Sequence, residues 1–94
     1  MTDYTLEEVR ADLRRLTRTQ LRAKYKGAYS AWSNMKQRAK KGAIIAPEFQ
    51  DFVDFLHHVG SPKPGETLDR INNANPAYGP ALVRWLDKKS QANN

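Results

Sequence analysis

The chain has 94 residues, of which 39% are hydrophobic and 28% are charged, and it contains no cysteine. At this length folding hides only about 60–65% of the surface of the unfolded chain, so we expect one domain around one modest core. The absence of cysteine excludes a disulfide framework and a cysteine-bound zinc, and it fits a reducing cytoplasm.

Positive charge is concentrated in the first half of the chain. Sixteen lysine and arginine residues stand against ten acids, which gives a formal net charge of +6 and favours a polyanionic partner. Between Arg10 and Lys41 every charged residue except Asp12 is basic, whereas 42–67 is mildly acidic. A solvated helix face is the alternative interpretation, but such faces usually mix charges of both signs.

The N-terminal residues carry acids and no long apolar stretch. Asp3, Glu7 and Glu8 lie within the first eight residues, and no apolar run there reaches the length of a signal peptide or a membrane span. We therefore expect a protein of the cytoplasm of a bacterial host, with no membrane partner.

The first predicted element is a helix over 5–16. Thr5 and Glu8 have the spacing of a capping box, in which the threonine hydroxyl accepts a hydrogen bond from a free backbone N–H. The apolar residues that follow at helical spacing are Leu6, Val9, Leu13 and Leu16.

A second helix is predicted to begin after Thr17 or Thr19 and to end at Lys40-Lys41-Gly42. Its apolar positions, in alternating steps of four and three, are Leu21, Tyr25, Ala28, Trp32 and Met35. Gly27 destabilises a helix by about 1 kcal/mol relative to alanine. If the helix is interrupted, we therefore expect the kink or break near Gly27. We expect Trp32, and Trp85 near the end of the chain, to belong to the core rather than to stack on bases.

The second half of the chain predicts one more helix and then strands. Pro47 suits the first turn of a third helix that ends at Gly60, and the exposed pair His57 and His58 lies near its end. Two short antiparallel strands then follow, around a turn-rich loop, and Asp87 can cap a short terminal helix. The ranges of these elements are 47–60 for the helix, 67–71 and 82–86 for the strands, 72–80 for the loop, and 88–93 for the last helix.

The sequence carries a recognisable set of motif residues in its C-terminal third and upstream of it. The set consists of Thr67-Leu68-Asp69-Arg70-Ile71-Asn72-Asn73, Tyr78, Pro80, Arg84-Trp85, Gln91 and Asn93, with Tyr29-Ser30-Ala31-Trp32-Ser33-Asn34-Met35-Lys36-Gln37-Arg38 and the Phe-rich 47–60 upstream. Over about two thirds of the chain, this set resembles small phage-encoded HNH-type endonucleases. The resemblance implies a ββα-metal (His-Me finger) element over 66–94. With it, the predicted fold class is α+β and mainly helical, with two or three N-terminal helices (the basic region 1–41), the helix 47–60 and the C-terminal ββα element, all in one domain.

The resemblance also implies roles for individual residues. Asp69 stands at the position of the first metal ligand, a Mg²⁺ ligand in an active enzyme, and Gln91 stands where the terminal helix supplies a second ligand. Arg70 occupies the position of the general base, and Leu82 replaces the asparagine that orients that base. Arginine stays protonated and leucine has no polar atom, so we expect no efficient cleavage. Asp69 has an alternative role, since it can pair with Arg70 or Arg84.

The preferred hypothesis is thus a DNA-binding protein derived from an HNH endonuclease. One alternative is an active Mg²⁺-dependent nickase, and another is a phage inhibitor that uses the scaffold to bind a host protein such as a CRISPR effector. A helix-turn-helix over 18–38 ranks last. The residues predicted to contact nucleic acid are Arg14, Arg15, Arg18, Arg22, Lys24, Lys26, Lys36, Arg38, Lys40, Lys41, Arg70, Arg84, Lys88 and Lys89.

Overall fold

The computed structural model describes residues 4–87 and shows an α+β protein, about half of it helical. The helices of this part of the chain are α1 (Leu6–Arg15), α2 (Arg18–Lys24), α3 (Lys26–Ala39) and α4 (Phe52–Val59), and the strands are β1 (Ile44–Ile45), β2 (Glu66–Arg70), β3 (Ala77–Tyr78) and β4 (Val83–Asp87). None of these helices is long and apolar enough to cross a bilayer. The predicted terminal helix 88–93 lies outside the described residues.

The first two helices begin at the threonines that the sequence predicts. The Thr5 hydroxyl accepts a hydrogen bond from the Glu8 amide at 3.1 Å. Thr17 and Gln20 form a complete capping box, since each side chain accepts a hydrogen bond from the backbone N–H of the other residue. Thr17, rather than Thr19, therefore caps α2.

The predicted second helix is in fact two helices. It is interrupted at Tyr25, whose φ of −104° and ψ of 57° are not helical, and α3 resumes at the next residue. The Tyr25 side chain is buried and donates a hydrogen bond to the Asp12 carboxylate at 2.5 Å, a contact that sequence periodicity cannot show. Gly27 is not the break: it lies inside α3, where a Cβ would come within 3.2 Å of Pro62.

The predicted helix 47–60 is shorter than expected. Pro47–Phe49 forms a separate 3-10 turn, and α4 begins only after Asp51, whose side chain accepts a hydrogen bond from the Val53 amide at 3.1 Å. The α-helix is thus capped by the side chain of Asp51, and Pro47 begins only the 3-10 turn that precedes it. Gly60 ends the helix with a φ of 68°, as the sequence predicts, because glycine adopts this conformation without a steric cost.

The strands form two separate pairs within the described residues. β2 and β4 are antiparallel, with Leu68 opposite Trp85 and Asp69 opposite Arg84, which confirms the predicted antiparallel pairing. β1 and β3 pair in parallel and were not predicted. Each has only two residues, too few for a pattern, and their pairing depends on contacts between distant parts of the chain.

All four helices and β3 contribute to one core. Its buried residues are Val9, Leu21, Tyr25, Ala28, Met35, Phe49, Phe52, Phe55, Leu56 and Tyr78. The two tryptophans pack against this cluster, as expected, and each uses its indole N–H to join elements: Trp32 donates to the Phe49 carbonyl at 3.0 Å and Trp85 to the Val59 carbonyl at 2.8 Å. The second bond ties the β2–β4 hairpin to the end of α4.

A buried acid, Asp12, fixes the angle between the first two helices. Its side chain accepts hydrogen bonds from Lys24, Tyr25 and Arg15. The bonds from Lys24 and Tyr25 lower the pKa of Asp12 from 3.8 to about 2, against the opposing effect of burial. Burial, followed by the hydrogen bond to Asp12, raises the pKa of Tyr25. The single acid of the basic region is therefore a structural residue.

Replacement of Asp12 by asparagine is expected to destabilise the fold in a pH-dependent manner. The folded-state pKa lies below the unfolded value of about 3.9, so the stabilisation is present above about pH 4 and is lost as the pH falls towards 2. At about 1.4 kcal/mol per pH unit of displacement, Asp12→Asn should lower the free energy of unfolding by on the order of 2 kcal/mol at pH 7 and by little at pH 2. Urea denaturation across this range measures the difference.

The control is Asp54→Asn, at an exposed position of α4. It should change the free energy of unfolding by less than about 0.5 kcal/mol at each pH. A loss in Asp12→Asn that is the same at pH 7 and pH 2 would contradict this role of the carboxylate.

Candidate functional site

A groove of about 610 Å³ lies between α3 and the β2–β4 hairpin. Helix α3 lines one side with Ser30, Ala31, Asn34 and Arg38, and the whole length of β2 lines the other. The residues that complete the lining are Gly27, Met35, Asn73, Tyr78 and Trp85. The groove therefore brings together the two stretches of sequence that carry the motif residues, 29–38 and 67–85.

Two arginines meet at one end of this groove. Arg38 donates a hydrogen bond to the buried hydroxyl of Tyr78 at 2.9 Å. Arg70 lies over the ring of the same tyrosine, with its guanidinium carbon 5.4 Å from the ring centroid, and donates to the Asn75 carbonyl at 2.7 Å. Neither guanidinium forms an ion pair with a carboxylate of residues 4–87. Their charge is thus available to an anion.

Asp69 has a basic partner across the hairpin. Side chains alternate between the two faces of a strand, so Asp69 points away from the face that carries Leu68 and Arg70. Its carboxylate accepts a hydrogen bond from Arg84, with 3.1 Å between Oδ2 and Nε. Of the two alternatives left open by the sequence, Arg84 rather than Arg70 is the ion-pair partner.

The described residues do not by themselves fit a magnesium site. No group of three or more potential metal-ligating side chains occurs in residues 4–87, and the carboxylate of Asp69 is already hydrogen-bonded to Arg84. The second predicted ligand, Gln91, lies outside the described residues, as do Lys88 and Lys89. An ion at Asp69 would have to compete with a guanidinium.

The other two positions implied by the resemblance lack the required polar chemistry. Arg70 can donate hydrogen bonds but cannot accept a proton from water. Leu82 is 38% exposed, and only its backbone forms hydrogen bonds: its carbonyl accepts from the Ile71 amide at 3.0 Å, and its amide donates to the Gly79 carbonyl at 3.0 Å. The exposed His57 and His58 lie on the last turn of α4, not in the lining of the groove.

Four of the predicted nucleic-acid contacts pair with acids. These residues are Arg15 and Lys24, which share Asp12, Arg18, which pairs with Asp51, and Arg84, which pairs with Asp69. The hydrogen bond between Arg18 and Asp51 raises the pKa of the arginine and lowers that of the carboxyl. Three basic residues of the helices are therefore paired, with two carboxylates between them.

The remaining basic side chains of this set differ in their surroundings. Arg22 lies over the ring of Tyr29 at 4.3 Å, and Lys36 donates to the Gln50 side chain at 2.8 Å. Arg14, Lys26, Lys40 and Lys41 are exposed and form no ion pair with an acid of the described chain. Lys40 and Lys41 follow Arg38 closely, so the unpaired charge extends from the groove beyond the end of α3.

Sequence reasoning missed the polar stripe on the groove side of α3. Ser30, Asn34 and Arg38 recur every four residues, which places them on one side of a helix whose opposite side is apolar. The spacing of these three polar residues in the sequence is the signal from which the stripe could have been predicted. The position of Tyr78 against Arg38 had no local signal, because forty residues separate them.

Comparison with protein-family models, with curated protein sequences and with solved structures gives no match to this chain. The site is therefore defined by its own geometry: a polar groove with two unneutralised guanidiniums at one end, in a small α+β protein.

The connection at the end of the groove contains a backbone conformation that alanine rarely adopts. Ala81 has a φ of 65°, the only positive value at a residue other than glycine in 4–87. Ala81→Gly should remove about 1–2 kcal/mol of steric cost from the folded state. Glycine also increases the entropy of the unfolded chain, which offsets part of this gain. The free energy of unfolding should therefore rise by about 0.5–1 kcal/mol. Urea denaturation provides the measurement.

Ala74→Gly is the matched control, because Ala74 is an exposed alanine in the neighbouring connection, between β2 and β3, and has no positive φ. Only the entropic cost applies there, so this change should lower the free energy of unfolding by up to about 1 kcal/mol. Equal destabilisation by both changes would argue against strain at Ala81.

Proposed function

We propose that the protein binds nucleic acid, most readily DNA, through the groove between α3 and the hairpin, on a scaffold derived from an HNH-type endonuclease of the kind that phages encode. The observation that carries this proposal is the convergence of Arg38 and Arg70 on Tyr78. Planar guanidiniums that lack a carboxylate partner are well suited to phosphate, which accepts two parallel hydrogen bonds from each of them.

The position of the motif residues supports the proposed origin. Arg38 comes from the upstream helix motif, whereas Arg70 and Tyr78 come from the C-terminal motif, and the three side chains form one cluster. An antiparallel pair with Leu68 opposite Trp85 is also the strand arrangement that the ββα element requires. The two motifs thus contribute side chains to one cluster, as expected if they form a common site.

Three features argue against efficient cleavage. Arg70 cannot act as a base at physiological pH, Leu82 offers no amide to orient one, and the Asp69 carboxylate is paired with Arg84. Hydrolysis of a phosphodiester needs both an activated water and stabilisation of the charge that develops on the phosphate. The groove contains cations that can bind phosphate, but an arginine occupies the position of the general base.

The electrostatics of the chain favour association with a polyanion. A net charge of +6 on 94 residues accelerates the encounter with nucleic acid, and each phosphate contact releases condensed counterions. Binding is therefore expected to weaken steeply as salt increases. Four of the predicted nucleic-acid contacts already pair with acids, so we expect only the other basic residues to contribute fully to the salt dependence of binding.

The double variant Arg38→Gln/Arg70→Gln should bind nucleic acid at least about 10-fold more weakly than wild type near 0.1 M salt. The magnitude of the slope of log K against log salt should fall by about two, because two phosphate contacts are lost. Fluorescence anisotropy with labelled single-stranded and duplex oligonucleotides, over a salt series, measures both quantities.

Arg10→Gln/Arg14→Gln is the matched control. It removes the same charge from exposed positions of α1 that do not line the groove. Equal losses in the two double variants would show diffuse binding rather than a site. Absence of binding to any nucleic acid would contradict the proposal and favour a host-protein partner, for which the exposed Ile71 and Leu82 offer apolar contact area.

Supercoiled plasmid is expected to remain uncut by the wild-type protein, with magnesium as well as with a chelator, because Arg70 at the position of the general base cannot deprotonate water and Leu82 cannot orient another base. Gel electrophoresis over a long incubation checks this, with Asp69→Ala beside the wild type. Magnesium-dependent nicking by the wild type that Asp69→Ala lacks would show that the protein is an active nickase.

A further inference from the structure

The groove continues beyond the end that lies opposite Arg38 and Arg70. A second depression of about 610 Å³ adjoins it and shares Gly27 and Glu66 with it. Lys26 and Lys63 line this second depression, and neither forms an ion pair with an acid of residues 4–87. The combined track therefore has basic groups at both ends.

The length of the track follows from α3. Lys26 and Arg38 are twelve residues apart in this helix, which corresponds to about 18 Å at 1.5 Å per residue. That distance equals about five nucleotides of a helical strand at 3.4 Å each, and fewer nucleotides of an extended one. A short oligonucleotide segment can thus reach from one basic end to the other.

The shape of the site is unsuited to the reading of a duplex. An α-helix reads duplex DNA by entering the major groove, which is about 12 Å wide, with its contact side outward. The groove side of α3 instead faces β2, and its other side packs on the core through Ala28 and Trp32. The polar groups of α3 lie on the wall of a concave groove, where a single strand of nucleic acid, unlike a duplex, can reach them.

The middle of the track offers hydrogen-bonding groups of the type that bases need. Ser30 and Asn34 on α3, and Asn73 on the opposite wall, make no side-chain hydrogen bond within the described residues. An amide has both donors and acceptors, so it can pair with the edge of an unpaired base. Trp85 adds an aromatic surface to the lining, and aromatic rings stack on bases.

We infer that this track binds a single strand of nucleic acid, with phosphates at Arg38 and Arg70 and at Lys26 and Lys63, and with bases directed towards Ser30, Asn34 and Asn73. The inference rests on the proposed function and specifies its ligand. Single-stranded DNA and RNA share this chemistry, and they differ only at the 2′-hydroxyl.

Anisotropy with three labelled 12-nucleotide probes of one sequence tests this inference: single-stranded DNA, single-stranded RNA and the DNA duplex. A single strand should bind at least 10-fold more tightly than the duplex at the same salt. Equal affinity for DNA and RNA supports contacts to phosphates and bases alone, and tighter binding of RNA supports an additional contact to its 2′-hydroxyl.

Ser30→Glu places a carboxylate within the track and should weaken single-strand binding at least 10-fold. Ala23→Glu is the matched control: it makes the same charge change at an exposed position of α2 between Arg22 and Lys24, outside both depressions, and should weaken binding less than 3-fold. Asn34→Leu, of similar size and uncharged, should weaken binding several-fold without a change in the salt slope, and it replaces Ser30→Glu if that variant fails to fold.

The outcomes separate the two proposals. Duplex binding as tight as single-strand binding, or equal losses in Ser30→Glu and Ala23→Glu, overturns the single-strand track while nucleic-acid binding stands. No binding of any of the three probes overturns the proposed function, and the track with it.

Discussion

Inside the protein, the hydroxyl of Tyr78 accepts a hydrogen bond from Arg38, and the ring of the same residue lies under the guanidinium of Arg70. Tyr78 belongs to β3, which pairs with β1 just after the end of α3. This one buried side chain therefore fixes the distance between the helix and the hairpin at the end of the groove. Because both arginines are held by neutral partners, they keep their full charge for a ligand.

The basic residues of the chain have two distinct roles. Those that contact Asp12, Asp51 and Asp69 stabilise the fold, since Lys24, Arg18 and Arg84 each join two elements through an ion pair. Among those without an acid partner, Arg38 and Arg70 line the groove, and Lys40 and Lys41 lie just past the end of α3. Net charge alone predicts a polyanionic partner but does not separate these roles. Which basic residue has which role depends on the positions of three carboxylates. Once these positions are known, the candidate surface is limited to part of the basic region.

Local signals in the sequence were sufficient for α1, for the end of α4 at Gly60 and for the antiparallel pair of β2 and β4, and they limited the start of α2 to Thr17 or Thr19. They failed where distant residues contribute to the conformation. Tyr25, at the break, bonds to Asp12 of another helix, and the pairing of β1 with β3 joins distant parts of the chain. Arg38 and Arg70 were named from the sequence as candidate contacts, but the groove and its polar stripe were not, because the two walls come from stretches about forty residues apart. The HNH-type origin stays a prediction.

If nucleic acid occupies the groove between α3 and the hairpin, as proposed, residues on both walls should respond to binding. A ¹H–¹⁵N NMR titration of the full chain with an unlabelled oligonucleotide tests this directly. We expect the largest changes in amide shifts at Ser30, Asn34, Arg38 and Asn73, on both walls of the groove. Changes confined to the exposed side of α1, around Arg10 and Arg14, with α3 and β2 unaffected, would contradict it.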